Sequence, residues 1–224
     1  MRKDFFGRNY AEDFTCIEKA PKKGLFIMNK TFSAKNIAGM AIFTALAFVT
    51  YCIIPEIPIF PGTPASFLKL DFSNVFIMLA GFMYGPLPAV IIIVVKELLH
   101  LPFGTTMGVG ELANVIMTVS YVLLPSIVYI KRKGISVVII SLLIACVLQI
   151  AFSLIVNRFI NFPFFIWMYK IPFTPAEYFG ALWVYVLAFN AIKSVSVSIV
   201  TFLVYKRISY LFKKINLQNS SKDV

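Results

Sequence analysis

The chain is 224 residues long, 59% hydrophobic and only 14% charged, a balance that excludes an ordinary soluble globular domain and marks an integral membrane protein. Its formal net charge of +11 could point to nucleic acid, but the basic residues cluster where membrane topology wants them, so the partner they imply is the lipid bilayer and no nucleic acid. The length suits one bundle of a few helices and leaves no room for a second, catalytic domain.

Residues 1–27 are polar and mixed in charge, with Arg2, Lys3, Arg8, Lys19, Lys22 and Lys23 set against Asp4, Glu12, Asp13 and Glu18. They lack the short apolar core of a signal peptide and read as a poorly ordered cytoplasmic extension, with Met28 as good a start as Met1. Residues 28–215 are expected to form the membrane domain and 216–224 a cytoplasmic tail.

The first apolar segment runs from Ile37 to Ile54 and has about the length a bilayer crossing needs. Ala34, Ala38, Ala41 and Ala45 fall at i, i+4, i+7 and i+11, so one helical face is a stripe of small side chains on which another helix can approach closely. That helix could belong to a partner or to this same chain; spacing does not choose.

Ile54 to Asp71 follows, broken by Pro55, Pro58, Pro61 and Pro64, which rule out a continuous helix. An irregular backbone cannot face lipid, because its unsatisfied groups cost several kcal/mol each. The stretch therefore reads as an extracellular loop acting as a lid over a polar cavity. Phe72 to Tyr84 and Leu87 to Leu101 are short apolar arms of a hairpin turned at Gly85-Pro86, with Lys96 and Glu97 near the end of the second, in reach of water by snorkelling or of neighbours in the bundle.

Glu111 to Ile130 forms the fourth span, Ile135 to about Val156 the fifth and Tyr178 to Tyr205 the sixth, with an aromatic loop from Asn161 to Glu177 between the last two. Gly108-Val109-Gly110-Glu111-Leu112-Ala113 looks like a dinucleotide fingerprint but has no βαβ unit around it; its glycines free a turn and expose a helix N-terminus. Six transmembrane helices with both termini cytoplasmic put Lys30, Lys35, Lys131, Arg132, Lys133, Lys206, Arg207, Lys213 and Lys214 on one side, as the positive-inside rule asks. The fold class is an all-α integral membrane protein of the cell membrane.

Polar residues line up within these spans. Glu111, Asn114, Thr118 and Tyr121 share one face of the fourth; Gln149, Ser153 and Asn157 follow on the fifth; Trp183, Asn190 and Lys193 form a stripe on the sixth. Lys193 lies too deep to snorkel easily, and an ionisable group at that depth marks a functional site unless it is a buried pair with Glu111 or Glu97. Cys16, Cys52 and Cys146 are far apart and suggest neither a disulfide framework nor zinc, and the lone His100 reads as structural. No Walker A, H-E-x-x-H or G-x-S-x-G sequence occurs, so the chain reads as a binder rather than an enzyme, with no cofactor expected. An intramembrane enzyme built on Glu111, Lys193 and His100 is the weaker alternative.

The stretches Phe67-Leu-Lys-Leu-Asp-Phe-Ser73, Ala80-Gly-Phe-Met-Tyr-Gly-Pro-Leu87, Lys96-Glu-Leu-Leu-His-Leu101, Gly108-Val-Gly-Glu-Leu-Ala-Asn114 and Phe189-Asn-Ala-Ile-Lys193, in this order, resemble the riboflavin-specific S components (RibU family) of energy-coupling factor (ECF) vitamin transporters. The resemblance spans about Ile37 to Leu211. It implies a six-helix subunit that captures riboflavin from outside, with flavin mononucleotide as a second candidate ligand, and docks on a shared transmembrane coupling subunit driven by two ABC ATPases. By position it implies Phe67, Leu68 and Lys69 as lid contacts, Asn114 on the fourth helix, and Asn190 with Lys193 on the sixth, to which the polar stripes add Glu111 and Asn157. It also implies that Ala41-x-x-x-Ala45, with Ala34 and Ala38, forms the docking face. The chain departs from the family pattern at Asn74, Ile93 and Glu97. An S component for another vitamin or precursor is the nearest competing reading.

Overall fold

The computed structural model describes residues 33–53, 57–104, 106–132 and 134–220. The expected extension at 1–27 lies outside them. The chain divides between Gly39 and Met40: of the first unit the described part is Ser33 to Gly39, the opening turns of a helix, and the second unit is Met40 to Val224.

Helix α1 is Ala34–Ile53. A two-residue antiparallel pair, β1 (Ile57–Pro58) with β2 (Lys69–Leu70), closes the Pro-rich loop into a hairpin-like flap, with Ile57 opposite Leu70 and Pro58 opposite Lys69. Then come α2 (Ser73–Tyr84), α3 (Pro86–His100), a 3₁₀ turn (Leu101–Phe103), α4 (Val109–Lys131), α5 (Ile135–Val156), a π-helical turn (Asn157–Asn161), α6 (Phe162–Tyr169) and α7 (Pro175–Ser220).

Local chemistry explains the junctions. Gly85 has φ 101°, open to glycine, and Pro86 begins α3, where its missing N–H costs nothing. α7 opens on a capping box: Thr174 Oγ1 accepts from Glu177 N (3.3 Å), and Glu177 Oε2 accepts from Thr174 N (2.9 Å) and Oγ1 (2.8 Å). Thr174-Pro175-Ala176-Glu177 is a start signal the sequence carries in plain view, and it sets the helix three residues before the expected Tyr178. At its other end α7 runs on to Ser220, through most of the expected 216–224 tail.

The largest departure from expectation is the aromatic segment. Read as a loop from Asn161 to Glu177, it is helical through Tyr169. The π turn lets Phe162 N donate to Asn157 O, one residue further back than in an α-helix, so the proline falls just after a turn whose bonding is already shifted.

Among the described residues four helices are long and apolar enough to cross a membrane: Pro86–Phe103, Val109–Lys131, Ile135–Tyr169 and Pro175–Arg207; Asn36–Cys52 and Ser73–Tyr84 are shorter apolar helices. The third helix, expected to be short, reaches crossing length because the 3₁₀ turn extends it. α5 exposes Ile140, Leu143 and Val147 and buries Val138, Leu142 and Ala145 together with the polar Ser141, Gln149 and Ser153, as a span bathed in lipid on one side requires.

Two apolar clusters hold the second unit together. The larger joins α2, α3, α4, α5 and α7 through residues such as Ile77, Met78, Ile92, Tyr121, Leu142 and Val197. The smaller seats the flap: Ala65 and Leu68 are buried with Phe162, Phe165, Leu182, Val186 and Phe189, while Phe67 meets Phe162 and Phe165 edge-on and Phe60 meets Tyr185. Beside the larger cluster Gly81 of α2 lies directly against the Ser126 side chain of α4. A Cβ on Gly81 would stand 2.1 Å from Ser126 Oγ and 3.2 Å from Ser126 Cβ.

Gly81→Ala should therefore overpack this crossing and cost about 1–3 kcal/mol, read as a lower thermal midpoint of the detergent-solubilised protein. Adding Ser126→Ala should recover part of that loss; no recovery would show that the strain lies elsewhere than at this contact.

Candidate functional site

A cavity of about 530 Å³ opens between the flap, the ends of α1 and α3, the first turns of α4, the π turn with α6, and α7. All eight residues expected at a ligand site line it: Phe67, Leu68 and Lys69 from the flap, Glu111 and Asn114 from α4, Asn157 from the π turn, and Asn190 with Lys193 from α7.

The three asparagines are held by acceptors. Asn157 Nδ2 donates to Ser153 O (2.8 Å), Asn190 Nδ2 to Val186 O (2.9 Å), and Asn114 Nδ2 to the Glu97 carboxylate. Carbonyl and carboxylate oxygens only accept, so each contact fixes which end of the amide is the NH₂ group. Lys193 is 7% exposed, one turn beyond Asn190 on the same wall. Glu111 is engaged on both oxygens: His100 Nδ1 donates to Oε1 (3.1 Å) and Thr106 Oγ1 to Oε2 (3.0 Å), while Gly110 N donates to Thr106 Oγ1 (3.1 Å). A Cβ on Gly104 would fall 1.9 Å from Glu111 Oε1, so a side chain there would have to displace this carboxylate.

Several wall residues escaped the sequence reading. His100, taken as structural, lines the cavity and packs against the Tyr51 ring with centroids 4.3 Å apart. Asn161 reaches the wall because the π turn brings it beside Asn157, to whose Oδ1 it donates (3.1 Å); its own Oδ1 is buried with no partner among the described residues. A π turn is itself a frequent mark of functional sites, but it leaves no signature in sequence spacing. Phe165, Tyr169, Tyr178 and Phe189 add an aromatic side.

Other expectations change. Trp183, read on the same stripe as Asn190 and Lys193, is 43% exposed and is not part of the wall. Thr118 and Tyr121 lie deeper on α4, where Tyr121 pairs with Ser198 Oγ (2.6 Å) and ties α4 to α7. Lys96 does not snorkel: it is 0% exposed, its Nζ donating to Glu97 Oε1 (2.7 Å), 3.9 Å from Asp71 Oδ2 and 3.9 Å from the centre of the Tyr51 ring. Asp71 in turn accepts from Ser73 N and Oγ (both 2.7 Å).

Comparison with known proteins meets this geometry from the other side. The family model "ECF transporter, substrate-specific component" matches residues 35–205. The riboflavin transporter RibU of Staphylococcus aureus (strain TCH60) is 31% identical over 185 residues, covering 81% of this chain and 94% of its own. The riboflavin transporter FmnP of Bacillus subtilis (strain 168) is 27% identical over 175 residues, covering 76% and 90%. A solved structure described as "Structure and mechanism of the S component of a bacterial ECF transporter" is similar with a TM-score of 0.67 at 30% identity, over 80% of this chain and 98% of that one. With a family match across most of the chain and apolar helices of crossing length, this multi-pass protein of the cell membrane belongs to the substrate-specific components of ECF transporters.

Proposed function

We propose that the chain captures riboflavin at the extracellular face and delivers it for ATP-driven uptake through a shared transmembrane coupling subunit and two ABC ATPases. One observation carries the reading: aromatic and apolar residues (Phe67, Leu68, Phe165, Phe189) and polar residues (Asn114, Asn157, Asn190, Lys193) line the same cavity of about 530 Å³. That volume lies in the range of small-molecule sites, roughly 300–1,000 Å³. A flavin has a flat apolar ring system with carbonyls and ring nitrogens at its edge and a hydroxylated chain, so it needs both kinds of lining at once. The two riboflavin transporters among the relatives support the same ligand.

In this reading the loop from residue 54 to Asp71 is the lid, six helices cross the bilayer with both termini cytoplasmic, and Lys193 supplies the cationic donor to a flavin acceptor. Flavin mononucleotide is a secondary ligand that a competition titration would rank. Removing one buried hydrogen bond costs about 1–3 kcal/mol, so Asn114→Ala and Lys193→Ala should each weaken riboflavin binding roughly tenfold to a hundredfold, measured by quenching of riboflavin fluorescence. Wild-type affinity in both would remove them from the site. A purified protein that is colourless and quenches no flavin would favour an S component for another vitamin.

Docking is assigned to α1. Ala41 and Ala45 are exposed in the second unit, two small side chains open to a partner helix; in the first unit Ala34 and Ala38 are exposed too. Ala41→Leu with Ala45→Leu should leave flavin affinity intact, because the added side chains meet lipid, and should abolish association with the ATPase-bearing module and uptake in cells. Uptake at the wild-type rate would show that the stripe is not the coupling surface.

For the topology, single cysteines at Ser66 and Lys131, both exposed, in a cysteine-free background should react with an impermeant thiol reagent from opposite sides of the membrane. Labelling of both from outside would overturn the six-crossing arrangement.

A further inference from the structure

Glu97 does not line the cavity, yet it is 3% exposed and bonded to a residue that does. Its Oε1 receives two donors, Lys96 Nζ at 2.7 Å and Asn114 Nδ2, while its Oε2 is buried with no partner among the described residues. We infer that Glu97, locked by Lys96, is the positioning residue that turns the Asn114 amide so that its carbonyl oxygen faces the ligand, and that the site therefore selects a hydrogen-bond donor on the ligand at this point.

The argument is one of obligate acceptors. An amide can present either end to a ligand, and rotation about its last bond exchanges them at little cost in open surroundings. A carboxylate accepts only, so the end of Asn114 that meets Glu97 must be the NH₂ group. The remaining end, the carbonyl, is what Asn114 keeps for the cavity it lines. Lys96 makes this arrangement stiff. Its ammonium is fully buried, has Asp71 Oδ2 at 3.9 Å and the Tyr51 ring at 3.9 Å, and needs the shared oxygen where it is. On a flavin the donors are few, the imide N–H of the ring and the hydroxyls of the side chain, whereas acceptors are many. A fixed acceptor at Asn114 thus constrains how the ligand can lie. The inference rests on the riboflavin reading above.

The test removes Lys96 and Glu97 together, since deleting one alone would leave a buried charge and endanger folding, while Asp71, the second carboxylate beside Lys96, keeps its donors Ser73 N and Oγ. Lys96→Met with Glu97→Met should preserve the thermal midpoint within a few degrees and weaken riboflavin binding about tenfold, the usual effect of one lost buried hydrogen bond. The same pair of substitutions made in an Asn114→Ala background should cause no further loss, because the residue through which Glu97 acts is gone. Lys96→Met with Glu97→Gln should bind nearly as the wild type does, since the glutamine oxygen can still accept from Asn114 and no buried ammonium is left without its carboxylate. Unchanged affinity in the Lys96→Met, Glu97→Met protein would overturn the assignment, and so would an equal loss in the presence and absence of Asn114. A wild-type protein that quenches no riboflavin fluorescence would overturn the flavin reading and this assignment with it.

Discussion

The geometry of the cavity depends on one buried ammonium. Removing the Lys96 charge from water costs several kcal/mol, and the cost is met only if partners surround it with good geometry. Those partners come from four places in the chain: Tyr51 at the end of α1, Asp71 where the flap returns to α2, Glu97 beside it on α3, and through Glu97 the Asn114 amide on α4. None of these segments is a sequence neighbour of all the others. One charge that cannot be left alone therefore fixes the base of the flap against two helices, and the cavity wall follows.

Much of this was legible from the sequence, and the reason is that apolar surroundings make polar residues conspicuous. Asn114, Asn157, Asn190 and Lys193 stand out in spans that are otherwise Leu, Ile, Val and Phe, and helical periodicity alone collects them on inward faces. Helix starts and turns marked by glycine and proline were legible too, as at Gly85-Pro86. Lys96 and Glu97 were harder. Adjacent residues on a helix point about 100° apart, so nothing in their spacing says that both turn inward or that their partners are Asp71 and Asn114. Asn161 and the aromatic helix after it were missed for a related reason: the π turn shifts the phase, and a reading that assumes 3.6 residues per turn loses count there.

The two acids near the cavity wall serve its frame: Glu111 holds His100 and the Thr106 loop, and Glu97 holds Lys96 and Asn114. Both acids stabilise the frame around the cavity, while Lys193 stands on its wall with Asn190.

Three of the four wall asparagines, Asn114, Asn157 and Asn190, share a design, with one difference that matters for specificity: an N–H of each amide donates to a backbone or carboxylate oxygen of the protein. Asn157 also gives its carbonyl to Asn161, whose own oxygen is buried with no partner among the described residues. Asn157 and Asn190 are oriented by backbone carbonyls of their own helices, four residues back, which no substitution at another position can take away. Asn114 alone of the three is oriented by a side chain on a different helix. Its hydrogen-bonding sense can therefore change by mutation outside the cavity wall, at Glu97 together with Lys96. A bundle of this kind can exchange one recognition element for another while its apolar frame stays the same, provided that positions 96 and 97 change together so that no buried charge is left alone.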